Sequence, residues 1–412
     1  MQPISEFNFE AQHRNPNAQP QSSIGKNRQW AARAALCAIW VLLSFEESIK
    51  YLHLWPGLIV CIAFPFVAAI ILSKLSRGSG PYHARLLVAP LVAGWLFGAA
   101  AYFALHGVNQ SALLLGHGSD RENALQMACR ALLSGKFPYH QLTILKNPIT
   151  PMPGALILAV PFYLTGHIGL QNLFWLAAFI LACYRLLGSN WGTVWFVCFF
   201  VLLNPCIMQD FVTGGDFFTN FVYVMVIFSL TIHALTLEAP KWREVVWPLL
   251  LGIALSSRPI YSLLYPCILA FGLQARGMAR GLRTAGLVLL AALGVTIAVY
   301  FRDPAHFTPL SVGSIAYSLI PASWHPALLT CMVGLAVASI SFFVRLNFRR
   351  LCLILGCALT VVTLPFFIVD RIMRPELFPL INLIYLSPGL LLLAIWLLPF
   401  AAQPSLQPQQ RQ

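Results

Sequence analysis

Between residues 108 and 150 an otherwise oily chain turns polar. Ser119-Asp120-Arg121-Glu122 opens the chemistry-bearing part, and Gly135-Lys136-Phe137-Pro138-Tyr139-His140 follows it. Apolar runs flank the stretch, Leu86–His106 before it and Met152–Thr165 after it. Acid, base and hydroxyl groups therefore stand at the surface of a membrane. Asp120 is the sharpest candidate. A carboxylate there can take the proton of an acceptor hydroxyl as a general base, provided bound substrate excludes water. The same acid at a helix start is favourable with the helix dipole and needs no function. Glu122 stands three residues after Ser119, the spacing of a capping box, with substrate binding as its other reading.

Other charged groups interrupt apolar runs in the same way. Arg258 breaks the 29 or so apolar residues of Val245–Leu273, and its planar guanidinium suits a phosphate. Snorkelling from a helix end is the plainer alternative. Asp370, Arg371 and Arg374 read either as a helix-end ion-pair set or as a grip on an anionic head group. Lys146 reads as a solvated loop lysine or as a further substrate contact, and Gly214-Gly215-Asp216 as a flexible turn carrying one acid. His106, His117, His140 and His306 stand at no metal-ligand spacing, so no metal site is expected. No phosphate-binding glycine loop, dinucleotide fingerprint or serine elbow occurs. The ten cysteines lie mostly inside apolar runs without a C-x-x-C pair and read as small core residues.

The elements that must position these groups follow from pattern. Ala124, Leu125, Ala128, Ala131 and Leu132 share one helical face. Arg121, Glu122, Gln126 and Arg130 lie largely off that face, and Gly135 fits a helix stop. This predicts a short amphipathic helix lying in the interface plane. Elsewhere the chain is 58% hydrophobic and 9% charged with mean hydropathy +0.75, which excludes an ordinary soluble domain. The net charge of +13 gathers at helix ends, where it sets topology, and no basic stripe interleaves with aromatics, so nucleic acid is discounted as a partner. The expected fold is all-α, a polytopic transmembrane bundle of about 11–13 membrane segments. Residues 1–29 read as a disordered cytosolic leader, 30–400 as a single transmembrane domain with 108–150 as its extracytoplasmic loop, and 401–412 as a disordered tail.

Charge bias places the N-terminus in the cytoplasm and the Asp120 loop outside. A charge at the bilayer centre is costly, so Val245–Leu273 is expected to form two short helices broken at Ser256-Ser257-Arg258-Pro259. Asp120, Arg258, His306, Asp370, Arg371 and Arg374 then share one side. The segments Met152–Thr165, Leu170–Leu187 and Trp191–Leu203 cannot all cross if Phe217–Leu237 runs inward, and the sequence leaves open which one does not.

These residues resemble the GT-C superfamily of integral membrane glycosyltransferases, in particular its bacterial polyprenol-phosphate-sugar, mannosyltransferase-like branch. The resemblance rests on Asp120 after an early span, the helix Ala124 to Leu133, and the ending Gly135-Lys136-Phe137-Pro138-Tyr139. It continues in Asn147-Pro148-Ile149-Thr150-Pro151-Met152-Pro153, Asn204-Pro205, Gly214-Gly215-Asp216 and Gly252 to Pro259. It covers about residues 86–275. The chain departs from the pattern in Arg121-Glu122-Asn123 after the acid, in Arg258 where lysine is frequent, and in Asp216 where glutamine is frequent. The resemblance implies a polyprenyl-phosphate sugar donor, a glycan or lipid acceptor, and an inverting transfer in which Asp120 is the base. Arg258, with Arg371 or Arg374, would hold the phosphate, Glu122, Tyr139, Lys146 and Asp216 would be further substrate contacts, and a groove between spans would hold the lipid in a bacterial plasma membrane. No cofactor is implied. A multi-pass transporter or lipid flippase is the alternative, since it too would use broken helices and a buried arginine.

Overall fold

The computed structural model describes residues 23–75, 87–187, 190–236, 240–310, 325–373 and 383–402. Among them the chain is helical, and the one β-type pairing is an isolated bridge between Leu142 and Pro148. Arg374, the leader up to residue 22 and the tail from residue 403 lie outside the described residues.

Helices α1 (Ser23–Leu52) and α2 (Leu54–Leu75) form a hairpin about His53, whose φ of 63° is left-handed. Gly57 permits the close return, because a Cβ there would lie 2.8 Å from the Ser48 carbonyl oxygen. α1 begins ahead of the boundary expected at residue 30 and runs unbroken past Glu46 and Glu47. α3 (Val88–Leu114) and the amphipathic α4 (Arg121–Leu133) follow, then α5 (Pro153–Leu164), α6 (Leu170–Leu186) and α7 (Trp191–Trp195). α7 continues as a π-helical stretch, Phe196–Leu202, and meets α8 (Pro205–Val212) at a 68° bend. α9 (Phe217–Thr236), α10 (Arg243–Leu255), α11 (Leu264–Tyr300), α12 (Pro326–Phe343), α13 (Phe348–Met373) and α14 (Ser387–Ala402) complete the order.

Seven helices among the described residues are long and apolar enough to cross a bilayer, or eight with the bent α7–α8 pair. The polytopic all-α bundle is as expected, with fewer full spans than about 11–13, because that figure counts short helices and separate limbs as spans. α11 is itself two limbs, 264–276 and 278–300, which turn at Gly277 where φ is +76°. α10 and the first limb form the hairpin expected around Arg258, with a 3-10 turn at Pro259–Leu263. Pro259 has no N–H to continue the α10 ladder, and its ring favours the new turn.

The undecided segment is α5. Its 12 residues rise about 18 Å, well short of a bilayer core of about 30 Å. Its first turn meets the end of α10, since a Cβ on Gly154 would come within 2.0 Å of the Ile253 carbonyl oxygen. The turn after it brings Gly169 against Glu122 at the start of α4. Both ends of α5 are therefore at one end of the bundle, and α5 does not cross. α6 then leaves that end, α7 returns to it, and α9 leaves it again, in the direction that charge bias assigns to Phe217–Leu237.

α9 is the central helix, buried along most of its length from Phe217 to Leu235. Phe221, Tyr223 and Phe228 on it are among the largest fully enclosed side chains. α3 and α12 are peripheral and turn apolar faces outward, such as Leu96, Phe103, Leu328 and Leu335. Such faces match lipid, which offers no penalty to apolar surface. A satellite core of Leu125, Ala128, Cys129, Tyr139, Ile149, Leu156 and Phe307 seats α4 on α5.

Candidate active site

Helix termini meet in a polar cluster at one end of the bundle. The end of α1 supplies Ser44, which receives a bond from Asn204 Nδ2 at 2.9 Å, and Glu46, which pairs with Arg371 at 2.8 Å. The end of α3 supplies Asn109, which donates to the carbonyl oxygens of Ser119 and Thr213. Asn172 at the start of α6 donates to the carbonyls of Phe211 and Gly215, both at 3.0 Å. The bonds from Asn109 and Asn172 hold the loop between α8 and α9 against α3 and α6, and the bond to Ser44 holds the start of α8 against α1.

Two ion pairs lie within that frame. Arg121 Nη1 is 2.6 Å from Asp210 Oδ1. Arg258 Nη2 donates to both oxygens of Asp216, at 2.7 and 2.6 Å. Both guanidinium groups lie over the ring of Phe217, at 4.3 and 4.1 Å from its centroid, and Tyr385 packs on the same ring at 4.3 Å. The acids are anchored as well. Asp210 Oδ2 accepts from the N–H of Phe218 and so caps α9, while Asn220 donates to Asp216 at 3.1 Å. The side chain of Asp216 is 3% exposed and that of Arg258 14%. Stranding either charge by removing its partner is expected to cost about 3–5 kcal/mol.

Asp120 occupies the N-cap of α4, adjoining this cluster through Arg121. Its Oδ2 accepts from Thr143 Oγ1 and from Asn147 Nδ2, the latter at 2.9 Å. Thr143 and Asn147 bracket a turn in which Lys146 has a φ of 62°. The partners of the candidate base thus come from the proline-rich connection to α5.

No family model, curated protein or solved structure matches the chain. What the site can do rests on its own geometry.

That geometry sorts the residues expected from sequence. Asp120, Arg258 and Asp216 are held at the polar end, and Arg371 joins it through Glu46. Asp216 is the direct partner of Arg258 rather than a separate contact. Glu122 is not a capping partner, since α4 has no side-chain cap bond. It turns instead into the bundle, where Gln110 Nε2 donates to it at 2.9 Å and His106 Nε2 lies 3.4 Å away. Burial pushes its carboxyl above the usual range, against the pull of His106 and the bonds from Gly169 and Gln110. Tyr139 is buried away from the ion pairs. Its hydroxyl donates to the Pro151 carbonyl at 3.0 Å, and burial raises the phenol. Lys146 is exposed on its turn. Asp370 is fully buried next to Arg371.

Sequence reasoning missed Arg121 and Asp210 as a pair, which lie 89 residues apart. Asp210 carried the signal that singled out Arg258, a charge inside an apolar run. It also missed a convergence of His140, Asp303 and His306, whose donor atoms all lie within 4.8 Å of one another. An apolar crevice lined by Phe179, Cys183, Leu187, Met225, Phe348 and Ile395 lies toward the opposite end of α6, away from Asp120.

Proposed function

We propose that this protein is a membrane glycosyltransferase of the GT-C type, moving a mannose-like hexose from a polyprenyl phosphate to a glycan or lipid acceptor. One observation carries the reading. Arg258 spends only Nη2 on Asp216, and its buried Nε has no hydrogen-bond partner among the described residues. A buried N–H donor without an acceptor calls for an explanation. An anionic oxygen from a phosphate ester satisfies it, and guanidinium groups favour such oxygens.

In this reading the acceptor hydroxyl approaches the anomeric carbon from the face opposite the phosphate. Asp120 takes its proton as the new C–O bond forms. The bond between the anomeric carbon and the phosphate oxygen breaks, and the electron pair leaves with polyprenyl phosphate, so the anomeric configuration inverts. Thr143 and Asn147 both bond Oδ2 of Asp120, which leaves Oδ1 to receive the proton. Arg258 offsets the charge gathering on the departing phosphate, the kind of electrostatic support that contributes most in many enzymes. Arg121 stays with Asp210 and positions the turn that carries Asp120. The opposite end of the bundle carries Arg28, Arg33, Arg276 and Arg349. That basic end faces the cytoplasm of a plasma membrane, and the Asp120 end faces out.

The broken helices α7–α8 and α10–α11 are also what a transporter would use. One experiment separates the two. Proteoliposomes are loaded with radiolabelled polyprenyl-phosphate mannose and a soluble glycan acceptor. Labelled glycan is the expected product. Label that crosses the bilayer still bound to polyprenol, with no labelled glycan, would overturn the transferase in favour of a flippase.

A further inference from the structure

Outside the ion-pair cluster, two exposed histidines and a half-buried aspartate from two distant loops aim nitrogen and oxygen at one point. Asp303 Oδ2 lies 2.7 Å from His140 Nε2 and 2.8 Å from His306 Nδ1. The two imidazole rings stand nearly perpendicular, at 87°, with centroids 5.0 Å apart. We propose that His140, Asp303 and His306 form a binding site for a divalent cation of the zinc class. The site stands apart from the transferase reading and needs no part of it.

The donor set selects the metal. Two imidazoles and one carboxylate suit zinc and its transition-metal neighbours, whereas magnesium and calcium prefer all-oxygen shells. With zinc–ligand lengths of about 2.0–2.1 Å, donors of a tetrahedral site sit about 3.3 Å apart. The two carboxylate–imidazole distances, 2.7 and 2.8 Å, need to lengthen by about half an ångström, which the exposed imidazoles reach by small torsions. Three protein ligands leave a fourth position for water.

The backbone already holds the three ligands. Asp303 caps the short turn Pro304–His306, with Oδ1 accepting from the His306 N–H at 3.3 Å. His140 ends the turn Pro138–His140, and its ring packs on Phe137 at 4.9 Å. Tyr139 and Phe307, neighbours of two of the ligands, pack edge to face at 5.0 Å in the satellite core. Arg302 donates to the Gly135 carbonyl at 2.6 Å and closes the same pair of loops from the other side. A bound cation would staple the connection that carries Thr143 and Asn147 to the loop after α11. It would act by stiffening the support of Asp120, without touching it.

The test uses the full-length protein in detergent, stripped with a chelator and titrated with zinc ion against a fluorescent indicator. One equivalent bound is expected in the wild type and in His117→Ala. His306→Ala and His140→Ala should each weaken that site at least tenfold. Asp303→Asn keeps the side-chain size and an oxygen for the cap but puts a donor-only amide nitrogen in place of the ligating oxygen, so it guards against misfolding and should also lose at least tenfold. Equal zinc affinity in wild type and Asp303→Asn would overturn the site, as would the absence of a stoichiometric site in the wild type. Competition by magnesium at equal concentration would overturn the assigned metal class.

Discussion

The pair Asp216–Arg258 is the most exacting place to test how this end of the bundle is built. Asp216→Asn keeps the size of the side chain but leaves Arg258 14% exposed without its counter-ion. Arg258→Met keeps the apolar stem but strands Asp216, whose side chain is 3% exposed. It also removes a guanidinium 4.1 Å over Phe217. Each single change should cost about 3–5 kcal/mol, because an unpaired buried charge remains. The double variant strands nothing. Its cost should therefore fall below the sum of the singles by about 2–3 kcal/mol, the upper range for residues in direct contact. The assay is reversible unfolding in mixed detergent micelles, followed by tryptophan fluorescence, on all four proteins. A double variant equal to the sum of its singles would refute the buried pair.

Three further outcomes follow from the geometry. Glu122→Gln should raise stability relative to wild type as pH increases. The folded state holds the Glu122 proton more tightly than the unfolded chain, so the stability it contributes is complete below about pH 4.3 and is lost as pH rises through the raised folded value. Melting temperatures measured from pH 4 to 8 should diverge in favour of the variant, and a constant gap would contradict a buried, proton-retaining Glu122. Tyr139→Phe should cost about 1–2 kcal/mol by leaving the Pro151 carbonyl without its 3.0 Å donor, and a thermal melt unchanged from wild type would remove Tyr139 as a tie. Gly154→Ala should cost about 2 kcal/mol or more, since its Cβ falls 2.0 Å from the Ile253 carbonyl, while Gly286→Ala, which meets nothing within 4 Å, should be neutral or stabilising in the same melts.

What was legible in the sequence was what a single local energy decides. A guanidinium cannot sit cheaply in lipid, so the break at Arg258 and the hairpin around it followed from Ser256-Ser257-Arg258-Pro259. The stop of α4 at Gly135, φ +71°, followed from the need for a left-handed residue there. Its apolar face followed from spacing, and Ala124, Leu125, Ala128 and Ala131 are buried. What was not legible depends on partners far along the chain. Glu122 has the spacing of a capping partner, yet His106 and Gln110 on α3 draw it inward. The run Met152–Thr165 is apolar enough to cross, and only the contacts of Gly154 in its first turn and of Gly169 in the turn after it show that it turns back. His140 and Asp303 are 163 residues apart, a separation at which ligand spacing carries no signal.

The claim that most needs a direct measurement is the proton transfer assigned to Asp120. Single-turnover transfer from labelled polyprenyl-phosphate mannose should be compared between wild type and Asp120→Asn, alongside equilibrium binding of the same donor. Loss of a general base lowers the chemical step by about 10²–10⁴-fold, and donor binding should stay within a factor of about two because Arg258 and Asp216 are untouched. A chemical step in Asp120→Asn as fast as the wild type's would contradict a base at this position.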